Sequence, residues 1–217
     1  MWASARSSRL PAVLGVAVLL AMVAPNRAKA DRRELYTLVG YQPGVSHLRS
    51  PASSDAASTV YAGAFDLTAY HGLSNTFHVG GRLRFSRSAD VRFEAIDLTS
   101  ADGTTSRGDV FADHFGFGFG ALALYRVDTG YSLAPVFELE AGFTIHDYGN
   151  VVHVPTGAAY RTALPGVSET VVHGSGTLIL EYRFRNYWVA SAGVGVQVED
   201  GRMPWSVFVP FRLGRIW

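Results

Sequence analysis

The sequence predicts an all-β protein, an eight-stranded antiparallel up-and-down transmembrane β-barrel that follows a cleaved signal peptide. Three observations predict this fold class. Apolar residues alternate with polar or small ones, with a period of two, along seven of eight extended segments, which is typical of strands with one buried face. Short and long connections alternate between those segments, as they do in transmembrane barrels. The chain stops on the apolar segment "SVFVPFRLGRIW" at Trp217, and a closing strand explains this because a barrel leaves no strand edge in lipid.

Residues 1–30 have the three parts of a secretory signal peptide. Arg6 and Arg9 precede an apolar run at 10–24, and "AKA" at 28–30 is a small-x-small cleavage site. The run is shorter than the ~20 apolar residues that a membrane-spanning helix needs, and an uncleaved anchor helix is the alternative. We therefore predict two segments, a signal peptide over 1–30 and the β-barrel over 31–217.

Composition and charge argue against several classes of protein. Lys and Arg number 19 and Asp and Glu 18, and four of the basic residues but no acidic residue lie in 1–30. The remaining 187 residues (217 − 30) therefore carry 15 basic (19 − 4) and 18 acidic residues, a net charge of −3. Without a basic tract, no nucleic-acid partner is expected. Because the sequence has no cysteine, we expect neither disulfides nor a lipid-anchored lipoprotein.

The eight predicted strands follow one another without a helical segment. In chain order they lie at 34–42, 60–71, 76–85, 114–125, 133–146, 171–185, 187–199 and 206–217. The first strand alternates poorly, so its facing stays open. In the second, Phe65 and Leu67 face away from Asp66, and in the third the apolar residues face away from Arg82 and Arg84.

The later strands alternate more clearly. The fourth reads "FGFGFG", with its phenylalanines on one face and its glycines on the other. The fifth sets Glu138 and Glu140 against phenylalanine and leucine, and the sixth sets Leu178 and Leu180 against Glu181. The seventh, "GVGVQV", alternates valine with glycine, and the eighth is the C-terminal segment. Each of these later strands therefore has one apolar and one polar or small face.

The connections differ in length on the two sides of the predicted barrel. Three of them are short turns, "GLSN", "VDTG" and "RN". Those between them are longer, including "SHLRSPASSDAAS", "TSADGTTSRGD" and the stretch at 147–169, and the last one, "DGRMP", is of modest length. This asymmetry predicts periplasmic turns with both termini on their side, and extracellular loops at the other end. The loop at 147–169 is a candidate binding surface, because exposed loops on a rigid scaffold carry recognition.

Aromatic residues cluster at the short turns. Amphipathic rings favour the membrane interface, and girdles of them mark where a barrel leaves the lipid. The residues of this predicted girdle are Tyr70, Phe77, Tyr125, Tyr131, Phe184, Tyr187, Trp188 and Trp217.

The last residues carry a family resemblance. In "VPFRLGRIW" the apolar register of Val209, Phe211, Leu213 and Trp217 resembles the C-terminal signal by which outer-membrane barrels are recognised for insertion, and Arg215 departs from it. With its signal, its eight strands and its size, the chain resembles the small eight-stranded barrels of the OmpA, OmpX and OmpW type over 34–217, and no motif assigns a subfamily. A soluble barrel of the lipocalin type, apolar inside and charged outside, is the alternative.

The resemblance implies a location and partners. A protein of this type is exported by its signal peptide and lies in the bacterial outer membrane of a Gram-negative cell. It contacts outer-membrane lipid and lipopolysaccharide, meets periplasmic chaperones in transit and engages the barrel assembly machinery through its C-terminal strand. A monomer without a cofactor is expected.

The polar face predicts a network of charges in the lumen. Its members are Asp66, Arg82, Arg84, Glu138, Glu140, Glu181 and Arg183. Opposite charges in one narrow space should pair, because an unpaired buried charge is costly. An eight-stranded barrel is just wide enough for side chains to fill it, so we expect a plugged lumen with a structural or surface-interaction role and no enzymatic activity. A gate built from the same pairs and an OmpW-like conduit for small apolar solutes are the alternatives.

Two further groups of residues suggest chemistry. His114, His146 and His173 face inward near the extracellular ends of their strands, which makes them weak candidates for a metal site; hydrogen-bonded residues at the mouth are the simpler expectation. His173 and Ser175 form a His-x-Ser pair similar to that of eight-stranded lipid A deacylases, where an Asn follows the serine; here Gly176 follows it. A lipid A-modifying hydrolase is therefore an alternative function, and we predict no metal ion and no catalytic residue.

Overall fold

The computed structural model describes residues 34–53, 56–100, 102–184, 187–200 and 205–217, so the predicted signal peptide at 1–30 lies outside the described residues. The described residues form ten strands. In chain order these are β1 Leu35–Arg49, β2 Ala57–Gly72, β3 Phe77–Thr99, β4 Thr105–Arg126, β5 Leu133–Pro155, β6 Thr162–Ala163, β7 Val167–Arg183, β8 Trp188–Glu199, β9 Trp205–Phe208 and β10 Phe211–Ile216. Among these residues, no helix has the length and apolar character needed to cross a membrane.

The strands close into an antiparallel ring of eight. Neighbours in sequence pair around the ring, and the short β6 pairs only with β5. β9 and β10 are two parts of one last strand, because Gly44 opposite Phe208 and Tyr41 opposite Phe211 belong to one continuous register. This last strand pairs with β1 on one side and β8 on the other. The predicted eight-stranded up-and-down barrel is therefore confirmed.

Alternation along the strands gives the barrel an apolar exterior. Phe65 is 63% exposed on the outer face, whereas the adjacent Asp66 is 1% exposed inside. Every strand of the ring contributes outward apolar side chains, for example Val39, Phe65, Phe85, Phe119, Leu139, Leu180, Val196 and Leu213. A closed barrel with an exposed apolar band is built to span a membrane, and it is the reverse of the lipocalin alternative.

Polar and aromatic residues mark the two edges of the apolar band. At one edge the exposed side chains of Arg87 and Asp147 lie on either side of Phe115 in the register of the sheet. At the opposite edge, beside the short turns, Tyr131, Trp188 and Trp217 are exposed. The short-turn end therefore carries the aromatic girdle that the sequence predicts.

Tyr70 does not belong to this girdle. It lies inside the barrel, 5% exposed, with its ring stacked 4.4 Å from that of Tyr36. The reason is the period of two: Tyr70 follows Asp66 and Thr68 at even spacing and therefore shares their inward face. The prediction of an interfacial Tyr70 was wrong, although the alternation already placed it inside.

Three predicted loops are shorter than expected, because the strands continue beyond the apolar band. β3 and β4 are paired as far as Thr99 and Thr105, and β5 extends to Pro155. The predicted loop at 147–169 is thus reduced to 156–166, which contains β6. The inward side chains of these extensions pack together into an apolar core of their own, separate from the one beside the short turns that is described below.

This second core closes the end of the barrel opposite the short turns, and we call it the cap. It consists of Leu48, Val91, Phe93, Ile96, Val110, Ala112, Tyr148 and Val151. The pairing of β2 with β3 stops at Gly63 and Arg87, and β3 then contains two bulges, with Ala95 at a φ of 57°. Bulges bend a strand, so β3 can leave the ring and pack against β1 across the mouth.

Candidate functional site in the barrel lumen

Side chains fill the lumen in successive layers below the cap. The layer beside the short turns is apolar, and we call it the apolar plug. Its residues are Tyr36, Leu38, Tyr70, Leu122, Leu124, Val136, Ile179, Val189 and Ile216. They come from seven of the eight strands of the ring, so the short-turn end of the lumen is packed as a small hydrophobic core.

A layer of paired charges follows at the level of the middle of the apolar band. Arg82 donates hydrogen bonds to Glu138 and, at 2.6 Å, to Glu140, and Arg84 donates to Glu140 at 3.0 Å. All four side chains are buried. Because a buried ion is stable only with close partners, these contacts hold β3 and β5 in position on either side of β4.

Glycine on the intervening strand makes room for these contacts. Gly120 of β4 lies between Arg82 on β3 and Gly142 on β5 in the register. A Cβ atom on Gly120 would lie 2.6 Å from Cγ of Glu140, which is closer than two non-bonded carbon atoms normally approach. The glycines of the "FGFGFG" pattern therefore leave space for side chains in the lumen, and its phenylalanines lie on the outer face of the barrel.

Sequence reasoning missed one member of this layer, Arg212 of β10. Its guanidinium donates to Glu138 at 2.9 Å and to Asp66 at 3.3 Å, and Asp66 also accepts a hydrogen bond from Gln42. The signal was present, because Arg212 alternates with the outward Phe211 and Leu213. We call the layer the charge network; it consists of Asp66, Glu138, Glu140, Arg82, Arg84 and Arg212, so three carboxylates balance three guanidinium groups.

Glu181 and Arg183 belong to a separate cluster at the short-turn end. Glu181 accepts hydrogen bonds from Arg126 at 3.1 Å, from Arg183 at 3.0 Å and from the hydroxyl of Tyr70 at 3.0 Å. Arg183 also pairs with Glu34 at 3.3 Å. The structure thus divides the seven predicted charges between two clusters, each of which combines both signs.

The three candidate metal-binding histidines do not converge. His114 Nε2 lies 2.8 Å from His146 Nδ1, and His146 Nε2 lies 3.0 Å from a carboxylate oxygen of Glu199. His173 instead contacts Glu140 at 3.1 Å and Thr144 at 2.9 Å. Within the described ranges, no group of three or more potential ligands could hold a metal ion.

His173 and Ser175 are close, but their contacts are not those of a hydrolase. The hydroxyl of Ser175 donates to Glu140 at 3.2 Å, and His173 Nε2 approaches the other oxygen of the same carboxylate at 3.1 Å. A nucleophilic serine donates its proton to a histidine that a carboxylate orients. Here the carboxylate of Glu140 lies between the histidine and the serine and also pairs with two arginines. These contacts are those of a residue that stabilises the packing of the lumen.

A small cavity separates the charge network from the cap, and we call it the upper cavity. It has a volume of about 60 Å³, and its lining combines apolar residues such as Leu48 and Phe208 with the polar side chains of Ser46, Arg84, His114, His146 and Glu199. Nδ1 of His114 and Nε of Arg84 are buried without a hydrogen-bond partner. Buried polar atoms normally have partners, and both residues line the upper cavity.

The residues of the predicted insertion signal face outward at the closing strand. Val209, Phe211, Leu213 and Trp217 are all exposed. Trp217 Nε1 donates to Thr37 Oγ1 at 2.9 Å, and the guanidinium of Arg215 lies 4.5 Å from the centre of the Trp217 ring. Trp217 thus joins the end of the last strand to β1, and its ring also lies against Arg215, the one charged residue among the outward positions of β9, β10 and Trp217.

Charges on the strand extensions beyond the apolar band form local pairs. Arg92 donates two hydrogen bonds to Asp109, at 2.6 and 3.0 Å, and the backbone N–H of Ala95 donates to the same carboxylate at 3.1 Å. The hydrogen bonds from Arg92 and Ala95 hold the pKa of Asp109 below its usual value. Asp109 therefore anchors the bulged part of β3 to β4.

Comparison with known proteins identifies the fold. No family model matches the sequence, and neither does any curated protein. Among solved structures, Neisserial surface protein A is similar with a TM-score of 0.52 and 11% identity, covering 83% of this chain and 96% of that one. Ail, the attachment invasion locus protein of Yersinia pestis, has a TM-score of 0.49 at 11% identity, covering 86% and 99%. The N-terminal β-barrel domain of Pseudomonas aeruginosa OprF has 0.42 at 11%, covering 84% and 98%.

Proposed function

Because the chain has the eight-stranded barrel fold of small outer-membrane proteins, we propose that it is a closed, non-enzymatic barrel of the bacterial outer membrane. Its role is structural or is carried by its extracellular surface. The observation that carries this proposal is the filled lumen. The apolar plug, the charge network and the cap lie one after another along the axis of the barrel, which supports a lumen that side chains close.

The composition of the charge network supports a plug over a pore. A selective pore presents a ring of one sign of charge to the permeating ion. Here each carboxylate of the network is in contact with at least one arginine, for example Glu138 with Arg212 at 2.9 Å and Glu140 with Arg82 at 2.6 Å. An ion in the lumen would have to displace these pairs and then cross the apolar plug. A through-going conduit for apolar solutes would have to cross the same two layers.

The proposal assigns partners to the outer surface. The apolar band contacts outer-membrane lipid, and its extracellular edge, where Arg87 and Asp147 are exposed, lies at the level of lipopolysaccharide. The outward residues of β10 and Trp217 engage the barrel assembly machinery, after periplasmic chaperones have carried the exported chain. We propose a monomer, since the ring closes without a strand from a second copy.

Single cysteines test the location and the orientation of the barrel. The sequence has no cysteine, so each substitution creates one thiol. Tyr160→Cys, between β5 and β7, is expected to react in intact cells with a thiol reagent that cannot cross the outer membrane. Tyr131→Cys, beside a short turn, is expected to react only after that membrane is made permeable. Both side chains are well exposed, so exposure alone does not separate them. The reverse pattern, or equal labelling in intact cells, would contradict the proposal.

Trp217→Ser tests the insertion signal. We expect this variant to reach the outer membrane in lower yield, because the last residue of the closing strand loses its outward ring and its hydrogen bond to Thr37. The measurement is the fraction of heat-modifiable barrel in isolated membranes. Trp205→Ser is the matched control, since Trp205 is an exposed tryptophan at the other end of the same strand. Equal yields of the two variants would overturn the assignment.

A further inference from the structure

A shallow trough runs along the outer face of β8, and we call it the β8 trough. Its floor is formed by the small side chains of Ala190 and Ala192, and its volume is about 650 Å³. The residues that face these alanines on β7 and β10 are all large and exposed: Leu180, Tyr182, Phe211 and Leu213. Neighbouring strands lie about 4.8 Å apart, so a floor one strand wide lies between two raised walls.

The β8 trough has the shape for a single extended hydrocarbon chain. Its walls are apolar, and it is open along the outer surface of the apolar band. A chain in the trough contacts β8 below it and a wall on each side, whereas a chain on a flat part of the band contacts the protein on one side only. Apolar burial and dispersion both grow with the area of contact, so a chain in the trough is held more firmly than its neighbours.

A cation lies at the short-turn end of the β8 trough. Arg215 of β10 faces Trp188 of β8 in the register, and it lies two residues beyond Leu213, about 7 Å along the strand. Its guanidinium stacks on the ring of Trp217 at 4.5 Å. Among the described residues this guanidinium has no carboxylate partner and donates no hydrogen bond, and the described outward positions of β8, β9 and β10 include no carboxylate. The charge of Arg215 is therefore open to a partner from outside the chain.

The position of Arg215 favours a lipid phosphate as this partner. Trp188 and Trp217 are exposed and belong to the aromatic girdle, which lies at the level of the lipid headgroups. A guanidinium forms two parallel hydrogen bonds with a phosphate, and this geometry suits arginine for phosphate recognition. A headgroup with a net negative charge also balances the charge of Arg215, whereas the ammonium group of a zwitterionic headgroup opposes it.

We propose that the β8 trough and Arg215 form a binding site for an anionic phospholipid, with an acyl chain in the trough and the phosphate on Arg215. The inference rests on the proposed function, which places the short turns on the periplasmic side and lipopolysaccharide at the opposite edge of the apolar band. It adds a defined site and a class of ligand to the general contact between the band and lipid.

Quenching of tryptophan fluorescence by brominated lipid tests the site. Trp205→Phe is the background, because it leaves Trp188 and Trp217, both at the short-turn end, as the only tryptophans of the described residues. The barrel is refolded into phosphatidylcholine vesicles that contain a small fraction of phosphatidylglycerol with dibrominated acyl chains, or the same fraction of dibrominated phosphatidylcholine. We expect brominated phosphatidylglycerol to reach half of its maximal quenching at a several-fold smaller lipid fraction.

Two pairs of variants separate the site from general contact with lipid. Arg215→Gln is expected to abolish the preference for phosphatidylglycerol, whereas Arg87→Gln, an exposed arginine at the opposite edge of the apolar band, is expected to keep it. Ala192→Leu fills the trough and is expected to weaken the binding of phosphatidylglycerol several-fold. Val196→Leu, on the same strand but outside the lining of the trough, is expected to have no effect.

Several results would overturn the proposal in a barrel that is folded by its heat modifiability. These are equal quenching by the two brominated lipids, a preference that survives Arg215→Gln or is lost equally in Arg87→Gln, and unchanged binding in Ala192→Leu. Displacement of the brominated phosphatidylglycerol by a smaller fraction of lipid A would assign the site to lipopolysaccharide instead. The vesicle measurement does not depend on cellular location, which cysteine labelling tests separately, so failure of the lipid site would leave the closed barrel standing.

Discussion

Glu138→Gln is expected to lower the free energy of unfolding by about 3–5 kcal/mol, because it removes one partner from a buried ion pair. Glu138 is 1% exposed and is the carboxylate shared by Arg82 and Arg212. Glutamine preserves the shape but leaves the charge network with one excess positive charge. Urea unfolding of the barrel in lipid vesicles measures the effect.

Two further variants separate charge from packing. Glu94→Gln is the surface control: its pair with Arg92 is long, at 3.6 Å, and its side chain is 72% exposed, so its loss is expected to cost about 0.5 kcal/mol or less. Adding Arg212→Gln to Glu138→Gln removes the excess charge and should recover part of the stability, as expected for coupled neighbours. A Glu138→Gln variant as stable as the Glu94→Gln variant would show that the network does not hold the lumen.

Leu139→Arg is expected to destabilise the barrel in lipid by about 2–4 kcal/mol, because an arginine at the bilayer midplane loses its hydration. Leu139 lies in the middle of the outward part of β5 and is 48% exposed to lipid. Leu133→Arg on the same strand lies beside a short turn, where the side chain reaches the interface, and should cost about 0–1 kcal/mol. Equal costs at the two positions would mean that the apolar band does not lie in the bilayer.

Much of the barrel follows from the period of two. Alternation assigned Phe65 to the exterior and Asp66 to the lumen, and it also contained the inward positions of Tyr70 and Arg212. Those two residues were misassigned or missed because they sit beside strong local features, a turn and an insertion signal. The alternation predicts whether a residue faces the lumen or the lipid. A neighbouring turn or insertion signal can suggest a different role for the same residue.

The partners across the lumen were not predictable in the same way. Which inward residues meet depends on the stagger of the strands around the ring, and no local pattern encodes that stagger. Glu181 and Arg183 therefore fell into their own cluster, although they share a face with the charge network. The cap was missed for a related reason: its core joins Leu48 of β1 to Phe93 of β3, and the two bulges that allow this contact have no clear sequence signal.

Single-channel conductance in a planar lipid bilayer tests the closed lumen most directly. The refolded wild-type barrel would be measured beside Arg82→Ala and Glu138→Ala. A lumen filled by the apolar plug and the charge network predicts no openings in the wild-type protein. Steady openings of the wild-type barrel, with a size that changes in the two variants, would contradict the plug and would make the charge network a gate.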